Sequence, residues 1–265
     1  MTVTRRTLLG SALLAAAMPV AHLPFVSAQD ATPADAGSAV PASPEAVASN
    51  APGYGIVRVR TLPTPELTQA VFPDVMYRFL PATAAVPGFF GYLFAFGSDN
   101  PADSITMTLL ENMEAAVAAD EVAKDYVAGI DPRLTPETPM AEQGPIRVYV
   151  TTDRALSELP PTLTGCQFTA RNKKNTGDTD IDALVTAVQH DLAPILRAMD
   201  GFVLYGWMMT PEGRVAFNIW ETAEQLTAGD KAIADWVAAN PVAASAGETE
   251  VHAGVIGYAD VLGDR

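Results

Sequence analysis

The stretch Glu111 to Ala128, ENMEAAVAADEVAKDYVA, aligns without a gap on Glu221 to Ala238, ETAEQLTAGDKAIADWVA. Seven of the 18 positions are identical, namely Glu111, Glu114, Ala118, Asp120, Asp125, Val127 and Ala128, and Tyr126 stands opposite Trp236. Composition alone gives roughly one or two such matches in a window of this size. A match at a fixed offset marks a duplicated unit, and a duplication fixes the architecture before any single motif is weighed.

Working outward, Val75 to Phe94 falls on Val188 to Trp207 at an offset of 113, pairing Val75/Val188, Pro81/Pro194, Gly88/Gly201, Phe89/Phe202 and Tyr92/Tyr205. The offset changes between the two matches because residues 97–103 form a longer turn than residues 210–213, and loops tolerate insertions. Each copy reads strand, helix, strand, hairpin, strand, helix, strand. In the first, residues 56–61 are a β-branched strand, 65–85 a helix, and 89–96 with 104–110 a hairpin. Asn112 caps a helix to residue 128, and 146–151 closes the unit. In the second, strands fall near residues 165–171, 202–209, 214–220 and 251–261, helices start at the caps Asp180 and Thr222, and Pro241 stops the last one. The βαββαβ order is the ferredoxin-like unit.

The helix end Val86-Pro87-Gly88-Phe89 followed by Tyr92, its counterpart Met199-Asp200-Gly201-Phe202 followed by Tyr205, and the strand exit Ile219-Trp220-Glu221-Thr222-Ala223-Glu224 resemble the antibiotic biosynthesis monooxygenase-like, or dimeric α+β barrel, superfamily. The likeness spans about 200 residues and rests on structural motifs. It implies an α+β fold in which two tandem ferredoxin-like βαββαβ units form an intramolecular dimeric α+β barrel. Members of that superfamily include cofactor-independent monooxygenases acting on polycyclic phenols, and haem-binding or haem-degrading proteins. The haem degraders use an Asn with a Trp and a His on the second helix. Here Trp236 is present but neither second helix carries a His, so the ligand pattern does not support haem and no cofactor is expected.

Ahead of the repeat, residues 1–28 carry Thr4-Arg5-Arg6-Thr7-Leu8-Leu9, an apolar Ala/Leu-rich run broken by Pro19 and Pro24, and Val26-Ser27-Ala28. They read as a cleaved signal peptide, and the paired arginines resemble the twin-arginine class. The expected location is therefore exported: periplasmic, cell-envelope or extracellular. Residues 29–52 hold 8 Ala, 4 Pro and 3 Ser with no aromatic, which predicts a disordered linker. The units themselves are expected at residues 53–153 and 162–262, joined by residues 154–161 with Pro160-Pro161 marking the boundary.

The chain of 265 residues carries 31 acidic against 16 basic side chains, a net charge of −15 that becomes −17 without Arg5 and Arg6. That charge opposes nucleic acid and anionic lipid as partners. One Cys and three His cannot assemble a disulfide framework or a usual zinc or iron–sulfur ligand set. After cleavage no segment reaches the length of a membrane span. Oligomeric state is left open.

No catalytic residue stands out. His190 falls opposite the apolar face formed by Leu184, Val185, Val188, Leu192, Ile195, Leu196 and Met199, so it reads as a solvated surface residue. His252, between Val251 and Ala253, has no second ligand near it in sequence. Cys166 reads as an ordinary buried thiol. Asp120/Asp230 and Asp125/Asp235 recur on helices with polar neighbours, which predicts solvated or capping roles. Strand parity puts Tyr205, Trp207 and Met209 on one face, Tyr92, Phe94 and Phe96 on the matching face of the first copy, and Asn218 with Trp220 on the third strand. Either these aromatic rows are barrel core with Asn218 paired to backbone, or Trp207, Asn218, Trp220, Tyr205 and Tyr92 line a ligand pocket. The second copy is the expected site, because Thr108, Leu110 and Phe94 become Asn218, Trp220 and Trp207 there, with Arg214 the only nearby cation that parity admits. Two functions remain open: oxidation of a small aromatic or quinone-like compound, or non-catalytic binding or interaction by an exported module for a small apolar ligand. The second draws on the absence of a repeated His and of a basic catalytic residue common to both copies.

Overall fold

The computed structural model describes residues 51–174, 179–243 and 249–263, so the expected leader over 1–28 and nearly all of the expected linker lie outside the described residues. The first half runs β1 (Tyr54–Thr61), α1 (Pro65–Asp74), a π-helical turn (Val75–Phe79), α2 (Leu80–Ala84), β2 (Phe89–Gly97), β3 (Asp103–Leu110), α3 (Met113–Ala128) and β4 (Glu137–Thr151). The second repeats it: β5 (Gln167–Lys174), α4 (Ile181–Ala187), a π-helical turn (Val188–Leu192), α5 (Ala193–Arg197), β6 (Phe202–Thr210), β7 (Gly213–Trp220), α6 (Ala223–Ala239) and β8 (Thr249–Asp260).

Local chemistry accounts for these boundaries. Asn112, Asp180 and Thr222 each accept a hydrogen bond from the backbone N–H three residues on, and the Gln225 side-chain oxygen in turn accepts one from the Thr222 backbone N–H as a reciprocal cap. The two π turns sit at equivalent positions, each just ahead of a matched proline. Pro81 and Pro194 lack the N–H that would bond four residues back, and the turn before them widens so that Leu80 and Ala193 donate to the Val75 and Val188 carbonyls. Gly88 and Gly201 follow with φ of +81° and +74°, a left-handed turn that explains why this glycine recurs.

Eight strands, all antiparallel to their neighbours, close in the order β1-β3-β2-β8-β5-β7-β6-β4. The fourth strand of each half joins the halves by changing partner along its length. β4 pairs with β1 from Glu137 to Pro145 and with β6 from Ile146 to Thr151. β8 pairs with β5 from Thr249 to Val255 and with β2 from Gly254 to Asp260. The chain is therefore two ferredoxin-like units closed into one α+β barrel, with no strand edge left open among the described residues. The sequence placed only residues 146–151 in β4. Its earlier part was obscured by Pro139, Gly144 and Pro145, and Pro145 is accommodated where the strand exchanges partners and a ladder donor is dispensable.

Alternation along the strands separates two cores. Val57, Val59, Leu93, Ile105 and Met107 meet Phe168, Met208, Phe217 and Ile219 in one cluster shared by both halves, which fills the barrel. The opposite faces are covered by helices. Tyr92 and Phe94 pack with Val71, Val75 and Phe79, and Tyr205, Trp207 and Trp220 pack with Leu184, Val188, Leu192 and Leu196. The reading of the aromatic rows as barrel core is thus corrected: they lie between sheet and helices. Period-two parity groups residues by face but does not say which face turns inward. No helix of the described residues is long and apolar enough to cross a membrane.

Candidate functional site

On β1, Ile56, Arg58 and Arg60 alternate on the helix-covered face, opposite Thr108, Thr106 and Ser104 of β3. The two arginines differ in what they meet. Arg58 forms an ion pair with Asp120 of α3. The same pair recurs in the second half, where Arg171 Nη2 lies 2.5 Å from Asp230 Oδ2 of α6. This corrects the expectation that Asp120 and Asp230 are merely solvated or capping. The pairs tie each second helix to its sheet, a contact that no local pattern reports.

Arg60 has no such carboxylate. Its Nη1 donates to Thr106 Oγ1 at 2.8 Å, and among the described residues no Asp or Glu forms an ion pair with it. Burial, reinforced by the neighbouring Arg58 charge, lowers its pKa below the ordinary guanidinium range, against the opposing influence of Tyr92 and Tyr126. Tyr92 beside it is 2% exposed, and burial pushes its phenol up to about 12 despite the Arg60 and Arg58 charges and the Thr106 hydroxyl. The phenol is neutral at ordinary pH and supplies no counter-ion.

These groups form the floor of a cavity of about 40 Å³ between sheet and helices. Its floor is Arg60, Tyr92, Phe94, Ser104 and Thr106, and its roof is Val71, Val75 and Phe79 with Ala123, Tyr126 and Val127 of α3. The π turn therefore supplies two roof residues. Tyr126 Oη donates to Asp74 Oδ2 at 2.7 Å, Arg78 pairs with Asp74 at 3.0 Å, and the Arg78 guanidinium stands 5.8 Å over the Tyr126 ring. The Tyr126 bond is the main reason Asp74 is held below the usual carboxylate range. Across the layer Phe79 meets both Tyr92 and Tyr126, with ring centres 5.7 and 5.2 Å away.

Of the pocket residues singled out by sequence, Tyr92 lines this first-half cavity, whereas Tyr205, Trp207, Asn218 and Trp220 lie together in the second half's sheet–helix layer. Burial pushes the Tyr205 phenol up to about 12. Trp220 packs edge-on against Phe202 at 5.3 Å, and its ring fills the space left by the missing side chain of Gly229. Asn218 Nδ2 donates to Asp230 Oδ1 at 3.2 Å, so the residue pairs with a side chain and not with backbone as one reading held. Asn218 Oδ1, Trp220 Nε1 and Thr169 Oγ1 are buried without a hydrogen-bond partner among the described residues. Arg171 and Lys173 share this face with Arg214, so Arg214 is not its only cation.

His190 is exposed on the second π turn, and His252 Nε2 lies 3.2 Å from Glu250 on β8. Cys166 is buried and its thiol is pushed up to about 11 by that burial, which makes it unreactive near neutrality. No group of three or more His, Cys, Asp or Glu among the described residues could hold a metal ion. A haem does not fit the cavity as it stands: neither His190 nor His252 lines it, and a porphyrin is many times larger. Sequence reasoning missed Arg60. The available signal was the pair Arg58/Arg171 at the offset of 113 already found for the strands, which would have drawn attention to charge on a strand face that helices must cover.

No protein-family model matches the chain, and no curated protein matches it by sequence. Solved structures do match it in shape. A candidate monooxygenase from Lactobacillus acidophilus NCFM superposes with a TM-score of 0.58 at 10% identity, covering 80% of this chain and 97% of its own. An anthrone oxidase-like protein gives 0.55 at 15% identity over 80% and 94% of the two chains. A candidate chlorite dismutase gives 0.51 at 13% identity over 78% and 95%. At these identities the likeness is one of fold.

Proposed function

We propose that this chain binds a small aromatic or quinone-like molecule in the first-half cavity and oxidises it with dioxygen, without a bound cofactor. The observation that carries the reading is the cavity itself: aromatic and aliphatic walls with Arg60, Tyr92, Ser104 and Thr106 gathered on the floor, the distribution that small-molecule sites share. The monooxygenase-like fold supports the choice of reaction. The residues contribute orientation and desolvation, with Phe79, Phe94 and Tyr126 excluding water from the ring and Tyr92, Thr106 and Arg60 meeting its oxygen. For anthrone, suggested by the anthrone oxidase-like neighbour, the ring CH2 becomes a carbonyl, one oxygen atom of dioxygen enters it, and the other leaves as water with the two hydrogens. Anthrone exceeds the cavity as it stands, so its entry requires α3 to move off α1 with loss of the Tyr126 to Asp74 bond.

One observation favours the second reading, non-catalytic binding. The Tyr92 phenol titrates far above neutrality, and no other cavity residue titrates near it to serve as a base. Oxygen uptake with anthrone and hydroquinone, measured beside equilibrium binding of hydroquinone, separates the readings. Uptake above that of heat-denatured protein supports oxidation; binding without uptake leaves a binding module; neither removes the site.

We also propose that the chain is exported, on the strength of Arg5-Arg6, the apolar run after them and Val26-Ser27-Ala28. Intact-mass measurement of protein from the cell envelope or medium should give an N-terminus near Gln29, and retention of Met1 would contradict it.

A further inference from the structure

We propose that Arg60 is an anion anchor, and that the molecule the first-half cavity takes is a planar aromatic anion, an aryl carboxylate or an ionised phenol. This rests on the reading of that cavity as the ligand site. A guanidinium carries five N–H donors, and the side chain of Arg60 uses one hydrogen bond, to Thr106 Oγ1. Arg60 itself lines the cavity, together with Phe79, Phe94 and Tyr126. Two residues away on the same face, Arg58 shows what a structural arginine looks like here: it is closed off by Asp120, and the closure is repeated by Arg171 and Asp230. Arg60 has no repeated partner, since its counterpart is Lys173 and the residue opposite changes from Ser104 to Arg214.

A cation partly shielded from water, with no ion-pair partner among the described residues, is a standing cost to the fold. The same arrangement becomes an asset when a ligand brings the negative charge, because charge-assisted hydrogen bonds in a dry site are stronger than neutral ones. Burial already lowers the Arg60 pKa, as expected of a cation awaiting its partner. Benzoate, like anthrone, exceeds the cavity as it stands, so it too enters as α3 moves off α1; the aromatic walls then select a flat ring, and the Arg60 end selects its charged oxygen. A carboxylate would engage two donors of the fork at once, a phenolate one.

Titration calorimetry of the full chain with benzoate, pentafluorophenolate and benzamide tests this, since benzamide keeps the shape of benzoate without its charge. The expected result is binding of at least one anion about tenfold or more tighter than benzamide, with Arg60→Met reducing the anion to the benzamide level. Benzoate ahead of pentafluorophenolate assigns the carboxylate, and the reverse order the phenolate. Benzamide binding as tightly as both anions, or Arg60→Met leaving anion binding unchanged, overturns the anchor while the cavity remains a ligand site. If none of the three binds, the cavity reading falls and the anchor with it. Thermal unfolding guards against a folding defect. Without ligand, Arg60→Met should melt at or above the wild-type temperature, because an uncompensated charge has been removed. A clear drop would make Arg60 a structural residue and overturn the proposal.

Discussion

Tyr92 and Tyr205 are matched phenols buried on the helix-covered faces of the two halves, and burial lifts each from about 10 to about 12. The consequence is a pH dependence with a definite sign. In the unfolded chain these phenols lose their protons near pH 10, while the folded protein keeps them to about 12. Above the unfolded value the folded state binds more protons, so the contribution is complete below pH 10 and is lost as pH rises through about 12. Each phenol accounts for on the order of 2 kcal/mol across that window. Urea midpoints measured from neutral pH upward should therefore hold and then fall steeply above pH 10, and Tyr92→Phe should shrink the fall. A flat profile through that range would mean that the two rings are wetter than the structure places them. At this same scale the sequence was legible for the rows and silent on the cations. Tyr92, Phe94, Tyr205 and Trp207 follow from period two alone, whereas the weight of Arg60 lies in what is missing beside it, a carboxylate that only the assembled layer could have supplied.

Elements explain how two halves with one topology come to differ in their interior. Leu110 at the end of β3 faces Ala119 of α3, and at the equivalent places β7 and α6 carry Trp220 and Gly229. The larger ring and the smaller helix residue are one substitution in two parts, since a Cβ on Gly229 would overlap the Trp220 ring. Gly229→Ala ought to gain about 0.8–1 kcal/mol of helix propensity, yet overpacking of a filled layer costs about 1–3 kcal/mol. The net expected outcome is destabilisation in chemical denaturation, relieved when Trp220→Leu is added so that the second half acquires the first half's pairing. If Gly229→Ala alone stabilises the protein, the ring does not rest on α6. The helix caps, the hairpins and the recurring Gly88 and Gly201 were readable because each is decided by a few neighbouring residues. The π turns and the first part of β4 were not. A π turn looks like ordinary helix until Pro81 and Pro194 are seen to need it, and Glu137 to Pro145 becomes a strand only because β1 is there to pair with it.

For the whole molecule, duplication supplied both the barrel and the freedom to vary it. The bore is filled jointly by the two halves, so neither can drift there without disturbing the other, but the helices over each sheet–helix layer come from one half alone, with β4 lending Val148 and Val150 to the second layer and β8 lending Tyr258 to the first. The second layer is occupied by two indoles and an Arg171, Asp230 and Asn218 network, and the first keeps a cavity over a lone guanidinium. The sequence pointed to the second layer because its Trp and Asn residues are conspicuous, and large side chains that announce a pocket can equally fill one. The duplication itself, being a match of residue types at fixed spacing, was visible without any structure. A crystal structure of the full chain grown with whichever of benzoate and pentafluorophenolate binds more tightly tests the account most directly. It should show one closed eight-stranded barrel with α3 displaced from α1 and the ring between β1, β2 and α3, its charged oxygen on Arg60. A ring in the bore, a ring against Trp207 and Trp220, or an unoccupied first-half cavity would contradict it.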